Sequence, residues 1–561
     1  MSFLSPLFIA FYGLIVIIIL LYFFSFYSFC FIKLHLQKKS IINQLMAYIQ
    51  ALFGKPNFPS IIAKIKSIFR IMPSNKYINN KQLQEKKNYN AGISNNMPKN
   101  KLLNAFLLLT SLLFYFILNS SFFPILISVV TWDFLLGLLI FKYPNSRRTI
   151  LFISICLNLS TLFFFKYAQF IALNILKILN KMINIDLFIE FQEEITAIDW
   201  MLPLGISFFI FQSMSYTIDV YRGTIQPSRS WFDYCLYVSF FPQLVAGPIV
   251  KAKDFLPQIY ERLSWVQVPL FSAFSWIALG FFKKAVLADR LAEIVDFAYS
   301  NPNALDWSFG FISVLAYSFQ IFLDFSGYSD IAIGIALLFG FRLPKNFNLP
   351  YLSNSFSEFW NRWHISLSSW LKDYLYISLG GNRVGALLTY RNLLLVMLLG
   401  GLWHGANWNF VIWGGSHGFL LALERFFFDR IKLRPFQAMN DFWNQVLQLM
   451  IYKLFPTLFV FSVTSILWVF FRSPNLSIAL DMINRILTLQ SGINLPYAML
   501  SSFFFVFLCL SVGHIAGKCK IHPEFWENTP FQFRHALVFS TIAILITLLS
   551  KPGKPFIYFV F

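Results

Sequence analysis

Long apolar runs, separated by short polar or basic stretches, set the rhythm of this chain. Residues 1–32 carry no charged side chain, and Leu4–Ile32 is long enough to cross a bilayer core of about 30 Å as an uncleaved first span. Leu102–Phe141 is mostly apolar over twice the length of one span, with Asn119 and Pro124 near its middle. That pattern predicts two helices joined by a tight turn. Further spans are predicted over Ile150–Leu179, Met201–Val220, Leu270–Ala288, Leu393–Trp403, Phe410–Leu423, Leu449–Phe471, Pro496–Gly517 and His535–Leu549. Trp307–Phe341 is long enough for one tilted helix plus a break. In Trp231–Val250 the apolar run is interrupted by Pro242, Gly247 and Pro248; such breaks survive at membrane depth only where protein or a cavity covers the freed backbone groups. Ile183–Trp200, with Glu190, Glu193 and Glu194, reads as an external loop or short helix. The total is ten to twelve spans, with no internal repeat.

Composition sharpens the picture. Hydrophobic residues make up 57% of 561, aromatics 19% and charged residues only 12%, which excludes an ordinary soluble globular protein. The net charge of +20 would suggest nucleic acid in a soluble chain. Here it sits between apolar runs, where topology and anionic lipid explain it, so no nucleic-acid partner is expected and membrane lipid is. Residues 33–101 hold thirteen Lys/Arg against the single acid Glu85, placing this segment in the cytoplasm and the N-terminus outside. Its Asn- and Lys-rich part, Ser74–Asn100, reads as a disordered insertion. The expected organisation is therefore a first span (1–32), a basic cytoplasmic segment (33–101) and a membrane core (102–561). Cys30, Cys156, Cys235, Cys509 and Cys519 lack metal-like or CxxC spacing.

Against this background one stretch stands out. Between Asp324 and His417 lie three of the seven histidines, His364, His404 and His417, among Trp and Gly. Ionisable groups set into a membrane chain point to a site. Phe356–Leu379 is too polar for an ordinary span. On one helix Trp360, Trp363, His364, Leu367, Trp370, Leu371 and Tyr374 would form a stripe, suiting an interfacial or re-entrant helix. His404 ends an apolar run within Gly400-Gly401-Leu402-Trp403-His404-Gly405; the glycines allow close approach and Trp403 supplies a wall. The residues leave two roles open for it, a neutral imidazole taking a proton from a hydroxyl or a structural histidine at a helix break. Zinc held by the three histidines is a third possibility, but no pair has the close spacing of a helical zinc motif, and no metal is expected.

The runs FLDFSGYSDIAIGIALLFGFRLPKNFNLPY, EFWNRWHISLSSWLKDYLYISLGGNR and RNLLLVMLLGGLWHGANWNFVIWGGSHG, all between 322 and 418, resemble the membrane-bound O-acyltransferase family, most closely its bacterial alginate O-acetyltransferase branch. FKYAQF (165–170), LPLGISFFIFQSMSYTIDVYRG (202–223), FPQLVAGPI (241–249), WVFFR (468–472) and the terminal PFIYFVF extend the likeness over most of the chain. Departures are the basic insertion, Ser416 before His417, and Val560 in the last motif. The resemblance implies an all-α polytopic protein of the bacterial inner membrane, a ring of tilted helices around a thinned centre with re-entrant or interfacial helices. It implies His404 as general base and His364 as an orienting partner. It further implies substrate contacts from Trp403, Trp363, Asn361 and Asn407, with Arg362, Lys372 and Arg383 drawing in an anionic donor. Asp324, Ser326 and Asp330 are assigned to structure. No bound cofactor is implied. The donor would be an acyl thioester such as acetyl-CoA, the partner a periplasmic or membrane-anchored hydrolase-like acetyltransferase, and the final acceptor a polysaccharide.

Rival readings make different demands. A transporter or flippase would show paired discontinuous helices in two repeats, an inactive scaffold would not need the histidine motifs, and D-alanyl transfer to teichoic acid would need a dedicated carrier protein.

Overall fold

The computed structural model describes residues 101–183, 193, 202–261, 267–430, 453–518 and 556. The first span, the basic segment up to residue 100, most of Ile183–Trp200 and the predicted span His535–Leu549 lie outside the described residues. Within them the protein is an all-α polytopic membrane protein. Eight helices are long and apolar enough to cross a membrane, and outside the helices an isolated bridge pairs Leu305 with Ile493.

The predicted pair at the start is α1 (Lys101–Leu118) and α2 (Phe123–Lys142), turned at Asn119 with Pro124 in the first turn of α2. Pro fits there because its missing N–H would have no partner inside the helix. One long rod follows, α3 (Arg147–Leu162) and α4 (Ala168–Ile183), joined by a widened π turn at Phe163–Tyr167. Next comes α5 (Ile206–Arg222).

The interrupted run then forms α6 (Trp231–Ser239) and the single turn α7 (Phe241–Leu244), leading into irregular backbone that is buried throughout. Side chains satisfy the freed groups. Phe241 N–H donates to Ser111 Oγ (3.2 Å), Gln243 Nε2 to the Tyr237 carbonyl (2.7 Å), Tyr237 OH to the Val250 carbonyl (2.9 Å) and Ile249 N–H to Ser366 Oγ (3.0 Å). Unsatisfied, each would cost about 1–3 kcal/mol.

After α8 (Ala252–Glu261) come α9 (Leu270–Phe281) and α10 (Asp289–Ser300), joined by a second π turn at Phe282–Ala288, and then α11 (Trp307–Leu338). The expected break in α11 is absent. The helix is continuous, and every residue from Ala316 to Phe341 is buried. It tolerates carboxylates because the π turn supplies cations: Lys284 Nζ lies 2.7 Å from Asp324 and 2.8 Å from Asp289, and Lys283 Nζ 2.6 Å from Asp330.

The predicted stripe over Phe356–Leu379 is not one helix. It is α12 (Phe356–Arg362), an extended Trp363, and His364 at φ +43°, then α13 (Ile365–Trp370) and a π turn at Leu371–Tyr376. The aromatic side chains therefore point in different directions. The chain continues as α14 (Ala386–His404), α15 (Trp408–Arg430), α16 (Phe455–Arg472), α17 (Leu476–Leu487) and α18 (Tyr497–Lys518).

Candidate active site

His404 is the last residue of α14, and the α14–α15 hairpin fixes its place. A Cβ on Gly401 would lie 2.2 Å from the Phe410 carbonyl oxygen, and one on Gly414 would lie 2.3 Å from that of Met397. Only glycine permits this approach. The hairpin is thus closed just before α14 ends, and the buried His404 ring is boxed by Trp403, Trp413 and Phe471, with centroids 5.0, 5.2 and 5.2 Å away.

A helix end leaves carbonyls without intrahelical partners. Here they are met from the π turn after α3. Lys166 Nζ donates to the carbonyls of Trp403 (2.6 Å) and His404 (3.0 Å), and Tyr167 OH to that of Leu402 (2.8 Å). A cation at a helix C-terminus also complements the macrodipole. A lysine within an apolar run can snorkel toward the interface; Lys166 is instead turned onto the end of another helix.

His404, Trp403 and Lys166 line a half-open pocket of about 90 Å³ together with Leu202–Phe208 and Val245. The start of α5 therefore shares this pocket with His404. Gly205 caps it at φ +70°, where a side chain would also meet the Leu244 carbonyl at 2.6 Å. Trp403 Nε1 is buried with no hydrogen-bond partner among the described residues.

His364 stands behind Trp403, ring centroids 6.2 Å apart, and against Phe325 at 4.6 Å. Asn346 holds it. Asn346 Oδ1 accepts from Ser366 N–H (3.2 Å) and Ser366 Oγ (2.8 Å), so the atom 3.2 Å from His364 Nδ1 is an acceptor. His364 therefore carries its proton on Nδ1 and presents a lone pair at Nε2. Complete burial holds its pKa near 3, far below the usual 6.5, so the ring is neutral. Its left-handed backbone stores strain of about 1–3 kcal/mol, a feature that clusters at functional sites.

The other expected residues separate into groups. Asn407 caps α15, its Oδ1 accepting from Asn409 N–H and its Nδ2 donating to the Pro474 carbonyl, both at 3.0 Å. Trp363 packs in the aromatic core against Trp468 (4.9 Å) and Phe347 (5.1 Å). Arg362 pairs with Glu358 at 2.5 Å. Asn361, Lys372 and Arg383 are exposed, and none of these last four lines the pocket. His417 accepts from Trp360 Nε1 at 3.4 Å and is parted from His404 by Trp413, ring centroids 5.1 Å away. Among the described residues no three ligand-type side chains converge on a metal position. Sequence reasoning passed over Asn346 altogether; an Asn in a loop carries no periodic signal.

A profile of the membrane-bound O-acyltransferase family matches residues 148–465. The chain is similar to the probable alginate O-acetylase of Azotobacter vinelandii, 41% identical over 384 residues that cover 68% of this chain and 71% of that protein. It is similar to the peptidoglycan O-acetyltransferase of Helicobacter pylori, 36% identical over 419 residues, 69% of this chain and 74% of that one. Similarity to the teichoic acid D-alanyltransferase of Bacillus subtilis is weaker, 27% over 263 residues, covering 44% and 65%.

Proposed function

The chain belongs to the membrane-bound O-acyltransferase family, and from that premise we propose that it is an O-acetyltransferase serving an extracytoplasmic polysaccharide. The observation that carries the reading is His404 beside a small pocket in an otherwise aromatic box. Buried imidazole is suited to take the proton of an attacking hydroxyl. The hydroxyl oxygen bonds to the thioester carbonyl carbon, the C–S bond breaks, and the imidazolium returns its proton to the departing sulfur. Neutral His364, one indole away, orients the partners.

Sidedness supports the direction of transfer. Arg383 and Arg391 flank the start of α14, and Arg425 lies toward the end of α15. The positive-inside rule puts those ends in the cytoplasm and His404 toward the opposite face of a bacterial inner membrane. An acetyl thioester such as acetyl-CoA is the cytoplasmic donor. The acetyl group passes through this protein to a hydrolase-like partner outside, which completes the polysaccharide ester. The higher identity to acetyl-transferring relatives than to the D-alanyltransferase favours acetyl over D-alanyl.

The test is ester-linked acetate on envelope polysaccharides in cells carrying wild type, His404→Ala or no copy, at matched membrane levels. Acetate lost equally in the variant and the null is expected, and the polymer that loses it identifies the acceptor. Wild-type acetate in His404→Ala would remove the base assignment.

A further inference from the structure

We infer that Lys166 is a catalytic residue whose ammonium stabilises the negative charge that develops on the acyl carbonyl oxygen. The inference rests on the acyl-transfer reading above and adds to it the electrophilic half of the site.

Three observations carry it. First, Lys166 is anchored: two of its three donors are spent on the Trp403 and His404 carbonyls, at 2.6 and 3.0 Å. An ammonium has a third N–H, and the same side chain lines the pocket beside the His404 ring. Second, the pocket is small. Lys166, the His404 ring and the first residues of α5 all line this one cavity of about 90 Å³. Third, the start of α5, the positive end of a helix of 17 residues, lines the same pocket. Cation, helix start and base thus line the same space, where charge would appear. Preorganised groups of this kind stabilise an oxyanion without reorganising during the reaction.

The electron bookkeeping is simple. As the acceptor oxygen bonds to the carbonyl carbon and its proton moves to His404, the π pair moves onto the carbonyl oxygen. Lys166 donates a hydrogen bond to that oxyanion and loses no proton. When the pair returns, the thiolate leaves with the proton from His404, and Lys166 is unchanged.

The alternative is that Lys166 only caps α14, and substitution separates the two. Lys166→Gln keeps amide N–H groups for the carbonyls but removes the charge. Lys166→Arg keeps the charge. Tyr167→Phe removes a capping hydrogen bond from the same helix end and leaves the pocket untouched. Membranes containing the full chain, with its partner protein and acceptor polymer present, are assayed with radiolabelled acetyl-CoA as donor probe, and acetate esterified to polymer is counted. Rates are expressed per folded protein, and kcat is separated from the donor KM.

The expected result is a kcat lower by about 10²–10³-fold in Lys166→Gln, the cost of losing one oxyanion donor, with an unchanged KM. Lys166→Arg should recover most of that loss, and Tyr167→Phe should stay near wild type. Wild-type kcat in Lys166→Gln, alongside an inactive His404→Ala, would overturn the inference and leave the base reading standing. A loss in Tyr167→Phe as deep as in Lys166→Gln would assign Lys166 to capping alone. An active His404→Ala would instead remove the underlying reading. Should Lys166→Gln fail to accumulate, Lys166→Arg decides: folded but inactive protein refutes the charge role.

Discussion

Gly401→Ala tests whether the α14–α15 hairpin sets the position of His404. The added methyl would lie 2.2 Å from the Phe410 carbonyl oxygen and 3.1 Å from Gly414 Cα. Carbon and oxygen settle near 3.3 Å, so the two backbones must part by about 1 Å. Both obstacles are main chain and neither can rotate away. Overpacking of this kind costs about 1–3 kcal/mol, which lowers stability without abolishing folding. The chemistry should suffer more. His404 is three residues from the wedge, and a displacement of about 1 Å in a reacting group costs on the order of 10² in rate. Gly415→Ala is the control, since its nearest neighbour is Leu398 Cδ2 at 3.2 Å, the end of a side chain that can move. The assay is the initial rate of acetyl transfer per folded protein, with the melting temperature in detergent measured alongside. A Gly401→Ala protein that turned over within about threefold of wild type would refute the hairpin as the positioning device.

Other perturbations probe the frame. Lys284→Met removes the cation from the buried Asp324 carboxylate and should destabilise the protein by about 3–5 kcal/mol, seen as loss of monodisperse protein on solubilisation. Arg362→Gln breaks a half-exposed pair with Glu358 and should shift the melting temperature little, because such pairs contribute about 0–1 kcal/mol. His364 gives a pH dependence. Its folded pKa near 3 lies below the unfolded value of about 6.5, so between those values the unfolded chain binds the extra proton. The stability it contributes is complete above pH 6.5 and is lost as pH falls toward 3, by up to about 1.4 kcal/mol per unit. Unfolding rates in detergent at pH 4.5 and 7.5 should therefore differ more in wild type than in His364→Gln; equal slopes would contradict the assignment.

Much of the scaffold could be read in advance, and its physical basis explains what could not. Spans follow from runs of apolar residues, and the Asn119–Pro124 turn from local backbone chemistry. His404 stood out because a histidine closing an apolar, glycine-flanked run is costly and needs a reason. The break at Trp363–His364 was hidden, since two residues of non-helical backbone leave the 3.6-residue pattern on either side intact. α11 was misjudged for the opposite reason. Its length suggested one helix plus a break, but the lysines that neutralise Asp324 and Asp330, and let the helix stay buried and continuous, lie on another helix. Lys166 carried no local signal of its role, because the carbonyls it meets are more than 230 residues away. Local pattern records what a segment needs, and the partner that meets the need is set by tertiary structure.

The same reasoning accounts for why the pocket lies where it does. A hydroxyl and an acyl group need a cavity at membrane depth, and a cavity requires helices that stop short. α14 stops at His404, α5 starts at Ile206, and the run after α6 loses its helix near Phe240. Every stop releases backbone groups that lipid cannot satisfy. Lys166 and Tyr167 seal the first, Gly205 opens the second, and Ser111, Tyr237 and Gln243 seal the third, while Asn346 and Ser366 brace the neighbouring His364. In a chain with so few charged residues, these polar side chains are committed to the breaks. One of them, Lys166, both closes a helix and faces the pocket. Opening the site and supplying its charge are thus met by the same lysine.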